Sequence, residues 1–300
     1  MKIPQGARDL FAGGLVSCHL LTCAITGGTC ALLRAATSDA ILDEEIHAPA
    51  LSTLNAEGEK KAQAIIYYMQ GILDEESSGP EKAFENYRHV LDLEPGFSEL
   101  AIYIAHEHLR RGESAEAIGV LKDALKNKPR DMNLCLGLSS IYLRQLHKPD
   151  IALQYAQRAL DINGEEFAPY EAFWEIYQSE NQKGRARQIL ERAAKSKSTS
   201  SSFWLQLGKL AGQSYISENG DLKPEDFPKV SPFFEKALEY ANGDLGITNH
   251  VADFFTLTKQ CERAIPLYQR VLSSDPDFSG TLTLESLALC YARSGKSKEA

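Results

Sequence analysis

The residues most open to a chemical reading are the imidazole pair His106 and His108, the glycine–lysine turn near position 295, a cluster of loop acids and six cysteines. His106-Glu107-His108 suggests a metal site. On a helix, however, residues two apart point about 200° apart, so the two imidazoles cannot share one ion. The spacing instead places His108 at an inter-helix packing position and turns His106 toward the opposite side. Ser294-Gly295-Lys296-Ser297 matches the end of a phosphate-binding loop, but the earlier glycine that such a loop needs is replaced by Cys290. The segment also follows a helical pattern rather than a strand, so it reads as a hairpin turn. Glu218, Asn219, Asp221, Glu225 and Asp226 are calcium-type ligands in a spacing that does not fit an EF-hand loop. No C-x-x-C pair occurs, and Cys135, Cys261 and Cys290 are scattered as small core residues would be. The sequence contains no G-x-S-x-G element and no distinctive pair of carboxylates. These patterns predict no catalytic residue, no cofactor and no metal.

Composition narrows the partners. Acidic residues number 41 against 32 Lys plus Arg, a formal charge of -9. Nucleic-acid binding draws on a basic face to meet phosphates. An acidic chain without a Lys/Arg cluster therefore points away from nucleic acid. The apolar fraction of 43% and charged fraction of 24% are those of a soluble globular chain.

Two signals organise the chain. The first is Leu10 to Leu33, 24 residues without Asp, Glu, Lys or Arg. At about 1.5 Å rise per residue it is long enough to span a bilayer. Lys2 and Arg8 before it and Asp39, Asp43, Glu44 and Glu45 after it orient the N-terminus toward the cytoplasm. The alternative is a buried helix of the fold, which Gly13, Gly14, Gly27 and Gly28 disfavour. Residues 1–36 are therefore expected to be a signal peptide or membrane anchor, and residues 37–63 a linker leading into the first helix. Leu15-Val16-Ser17-Cys18 resembles a lipobox, but the apolar sequence continues past Cys18. The expected location is exported or membrane-anchored, in a bacterial periplasm or cell envelope, with a cytoplasmic placement as the alternative.

The second signal is a repeat. An alanine or valine followed by apolar residues four and seven positions later occurs at Ala83/Tyr87/Val90, Ala117/Leu121/Ala124, Ala152/Ala156/Ala159, Ala186/Leu190/Ala193, Val230/Phe234/Ala237 and Ala264/Tyr268/Val271. The last members are 34, 35, 34, 44 and 34 residues apart. Turn formers such as Pro95, Pro129, Gly164 and Pro276 follow five residues later. An amphipathic helix precedes each triplet, as at Trp204, Leu207 and Gly208. Turns such as Arg111-Gly112-Glu113 and Gln182-Lys183-Gly184 are expected to join the two helices of each unit. The 44-residue interval carries an insertion near 213–229, where Gly220, Pro224 and Pro228 argue for a loop.

This pattern resembles the tetratricopeptide repeat family. Trp204-Leu205-Gln206-Leu207-Gly208 matches the first part of the family pattern, and Ala264, Tyr268, Val271 and Pro276 match the second. The resemblance covers about Ala64 to Ala300 and implies an all-α, right-handed superhelical solenoid of antiparallel hairpins, with six full repeats and a truncated seventh. Leu284, Leu287, Ala288 and Tyr291 begin that seventh unit, and the chain stops at Ala300 in the first turn of its second helix. Further repeats or another domain, such as a glycosyltransferase or kinase, are the expectation beyond it.

The resemblance also implies a concave groove, lined by the first helix of each hairpin, that binds a partner protein or peptide. The corresponding positions are Tyr68, Ile72, Ile102, His106, Arg110, Asn133, Leu136, Arg144, Glu171, Glu175, Lys209, Asn249 and Asp253. Family members that clamp a peptide carboxylate use a Lys/Asn set. Ile102 and His106 stand at two of those positions, so that mode is not supported. Service in envelope secretion, pilus or exopolysaccharide assembly is the alternative process.

Overall fold

The computed structural model describes residues 55–215, 222–276, 278 and 281–295. The apolar run at 10–33 and residues 216–221 of the insertion lie outside them. Among the described residues no helix is long and apolar enough to cross a membrane.

The described residues form thirteen α-helices in chain order. These are α1 Ala56–Ser77, α2 Pro80–Leu93, α3 Ser98–Arg110, α4 Ser114–Asn127, α5 Met132–Arg144, α6 Pro149–Ile162, α7 Ala168–Ser179, α8 Lys183–Ala193, α9 Ser201–Tyr215, α10 Phe227–Glu239, α11 Leu245–Leu257, α12 Cys261–Ser274 and α13 Leu282–Arg293. The chain divides into two compact units, Met1–Glu107 and His108–Ala300. The boundary falls inside the 64–300 stretch that reads as one run of repeats.

In the first unit α1 packs against α2. Tyr87 of α2 fits over Gly71 of α1, where a Cβ would collide with the ring. Its hydroxyl donates to Glu75 at 3.1 Å, and burial followed by the Glu75 charge pushes the phenol upward. α1 begins at Ala56, where Asn55 caps it by accepting from the Gly58 N–H at 2.7 Å. Residues 56–63 are thus helical, which corrects the linker expected over 37–63. The apolar period is absent there, but the side-chain cap and four acidic and basic residues of the first two turns support an exposed helical start.

In the second unit α5/α6, α7/α8, α9/α10 and α11/α12 each pack as neighbours. The triplet residues explain why. Ala117, Ala152, Ala186, Val230 and Ala264 are all at most 1% exposed, as is Ala83 in the first unit. Small side chains at these positions let two helix axes approach closely, and the residue four positions later, Leu121, Ala156, Leu190, Phe234 or Tyr268, is buried on the same face. Ser139 on α5 adds a buried hydrogen bond across its hairpin, donating to the Ala152 carbonyl at 2.9 Å.

The turns between paired helices need one residue in the left-handed region. Gly112, His147, Asn181 and Lys259 occupy it, at φ 78°, 50°, 56° and 62°. This corrects the turn expected at Gln182-Lys183-Gly184. Asn181 supplies the positive φ, an amide side chain that tolerates it, and Gly184 is already the second residue of α8. The insertion is also shorter than 213–229. α9 runs to Tyr215 and α10 starts at Phe227, with Pro228 in the first turn, where its missing N–H has no helical partner to lose.

Candidate functional site

Three of the expected groove residues meet in the second unit. Leu136 on α5 and Glu171 and Glu175 on α7 line one cleft of 160 Å³, together with Ser139, Ser140, Leu143 and Ala172. The α5 helix is started by Asp131, whose carboxylate accepts from the Leu134 N–H at 3.0 Å. α7 starts with Pro169 in its first turn. Both helices are first members of their hairpins, so their unburied sides turn the same way. The floor is apolar and the rim charged.

The rim carries an ion pair between neighbouring repeats. Nη2 of Arg144 donates to both carboxylate oxygens of Glu175 at 2.9 Å. The two side chains are 60% and 36% exposed. A pair this exposed contributes only about 0–1 kcal/mol and exchanges readily for a ligand's charges. One turn away, burial and then the Glu175 charge push the Glu171 carboxyl upward, while Arg144 pulls it down.

The other expected positions divide. Asn133 and Lys209 are exposed on α5 and α9, and Arg110 is exposed at the end of α3. Asn249 and Asp253 on α11 lie within an internal hydrogen-bond network. Asp253 accepts from the Tyr268 hydroxyl at 2.7 Å and from Asn249 at 3.3 Å, and Asn249 accepts from Thr283 at 3.1 Å. In the first unit Tyr68 is half-buried between the Tyr87 and Phe97 rings, both 5.8 Å away. Ile72 and Ile102 are half-buried there, and His106 is exposed.

His108, in the second unit, is buried and its Nδ1 lies 2.7 Å from Glu113 Oε2, across the α3–α4 turn. That contact closes a turn and gives the imidazole a packing role. Among the described residues no group of three or more His, Cys, Asp or Glu is placed to hold a metal ion.

Two concavities lie outside the expected groove positions. One, of 360 Å³, has Tyr215 between two cations, with Arg187 5.2 Å and Lys229 5.0 Å from its ring. Tyr215 sits just before the insertion, which was the available hint. The other, of 680 Å³, is lined by Lys259, Cys261, Arg263 and Arg293 among others. Its members come from two helices and a turn, so no local spacing announces them.

Antiparallel hairpins, a buried small residue opening each triplet and recurring left-handed turns together define the repeat. The chain has a tetratricopeptide-like helical-hairpin fold. A family model for the ChAPs, the Chs5p-Arf1p-binding proteins, matches residues 80–199. No curated protein matches the sequence. Among solved structures the chain is similar to the C-terminal part of a TPR repeat-containing protein from Cytophaga hutchinsonii, at 14% identity, TM-score 0.46, covering 77% of this chain and 90% of that one. It is similar to Pseudomonas aeruginosa pilF at 12% identity and TM-score 0.44, over 76% and 97% of the two chains. The TPR protein YrrB, described as having an unusual peptide-binding site, is 13% identical with TM-score 0.41, over 60% and 86%.

Proposed function

We propose that this chain is a protein-interaction scaffold, and that the cleft between α5 and α7 is part of the surface that binds a partner protein or peptide. The observation that carries this reading is the convergence of Leu136, Glu171 and Glu175 on one cleft, with an exchangeable Arg144–Glu175 pair at its edge. An apolar floor supplies area to bury, and the charged rim supplies orientation. The name of the family whose model matches residues 80–199 describes binding to two proteins, which favours the same class of function. A photo-reactive residue placed at Leu136, compared with one at exposed Lys122 on α4, tests the assignment in cells. Partner adducts should form from position 136 and decline when Glu171→Arg is added. Equal adduct yields from both positions would refute it.

The same reading places the repeats outside the cytoplasm or on a membrane, through residues 10–33. Its support is the uncharged run of 24 residues. Fractionation with mass measurement of the mature N-terminus tests it. An intact Met1 in the soluble cytoplasmic fraction would sink it.

A further inference from the structure

The α5–α7 cleft and its rim carry two carboxylates and one guanidinium. Glu171 and Glu175 stand one turn apart on α7, a spacing at which like charges repel. Arg144, reaching across from α5, donates to both oxygens of Glu175 and so answers one of the two charges. Glu171 makes no hydrogen bond or ion pair with any described residue. Burial first, and then the neighbouring Glu175 charge, push its carboxyl upward.

The walls of the cleft are apolar, with half-buried Leu136, Leu143, Ala168 and Ala172. Pockets that enclose a drug-sized ligand start near ~300 Å³. At 160 Å³ this cleft is sized for one side chain of a partner. Its chemistry selects among side chains. An acidic one would add a third like charge beside Glu171 and Glu175. A purely apolar one would cover the leucines but strip further water from an unpaired carboxylate, which costs free energy. A long basic side chain meets both demands, because its methylenes cover apolar surface while its cation stays at the polar edge.

We propose that this cleft takes a lysine or arginine side chain of the partner, laid along Leu136 and Leu143 with its cation against Glu171. The inference rests on the reading of the cleft as a partner-binding surface, and adds the charge of the residue that enters it. Arg144 keeps Glu175, so the incoming cation need not break the existing pair. With Glu171 answered, two anions face two cations.

The test selects random phage-displayed octapeptides on the full chain, and again on Ser140→Phe, which adds neutral bulk at an exposed position of the cleft. Peptides lost with Ser140→Phe are those that use the cleft. They should share a Lys or Arg beside an apolar residue. Their affinity should fall about fivefold in Glu171→Gln, the upper end for a partly exposed ion pair. It should not change in Glu180→Gln, which removes an exposed acid just past the end of α7. Cleft-dependent peptides without a basic residue, or basic ones indifferent to Glu171→Gln, would overturn the inference while leaving the cleft a partner surface. An equal loss in Glu180→Gln would overturn it as well, since the acidic chain as a whole would then be the cause. Selections that Ser140→Phe leaves unaltered would overturn both this inference and the reading on which it rests.

Discussion

Gly208→Ala probes the packing on which the repeat depends. A Cβ built at Gly208 lies 2.8, 3.0 and 3.1 Å from three atoms of the Phe234 ring. Ordinary contacts begin near 3.4 Å, so the ring must move. It has little freedom to do so, being 3% exposed and stacked on Phe254 with centroids 3.8 Å apart and planes 9° apart. Overpacking of this kind costs about 1–3 kcal/mol. Replacing a helical glycine by alanine returns about 1 kcal/mol of backbone propensity. The net expectation is a loss of about 0–2 kcal/mol. Gly119 is the control. It lies inside α4, and its added Cβ would meet nothing within 4 Å, so Gly119→Ala should gain about 1 kcal/mol. In urea melts, with a slope of about 2 kcal/mol/M, the midpoint of Gly208→Ala should fall by about 0–1 M and that of Gly119→Ala rise by about 0.5 M. Adding Phe234→Leu to Gly208→Ala should recover less than the full loss, because a smaller side chain removes the clash and some of the packing. A Gly208→Ala protein stabilised as much as Gly119→Ala, with an unchanged slope, would refute the close-approach argument.

Three further outcomes can be checked on purified protein. Tyr268→Phe removes the hydroxyl that donates to Asp253 at 2.7 Å, so denaturant melts should show a loss of about 1–2 kcal/mol. His147→Gly relieves a positive φ of 50°, worth about 1–2 kcal/mol. Offset by glycine's greater unfolded-state freedom, it should still raise stability by about 0.5–1 kcal/mol in the same melts. The Tyr268 phenol, and the Tyr87 phenol in the other unit, are pushed above 10.0 chiefly by burial. The folded state then holds protons that the unfolded state releases, so stability is fully present below pH 10 and falls as pH rises beyond it. Melts at stepped alkaline pH should show that fall in wild type and a shallower one in the Tyr87→Phe/Tyr268→Phe variant.

Much of the architecture was legible in the order of residues. The Ala–x3–apolar–x2–apolar triplets place small and large side chains on one helical face, and that face is buried in every unit. Local period decides this, because a helix with one apolar stripe must turn it toward a neighbour. Pro95, Pro129 and Pro276 likewise mark helix ends through a constraint that needs no tertiary partner. The turn at 180–182 was misplaced for a related reason. Glycine is the obvious residue for positive φ, and Asn181 took that role one turn earlier than Gly184 suggested.

What the sequence alone determined was therefore the element type and the register of the buried face. Which polar side chains are engaged by a neighbouring helix was decided by tertiary structure. Glu175 meets Arg144 from 31 residues away. Asp253 is engaged by Tyr268 on the next helix. The physical reason is common to both. Helical periodicity fixes direction within one element, whereas a charge pair or a hydrogen bond depends on a distance between elements that no single period encodes.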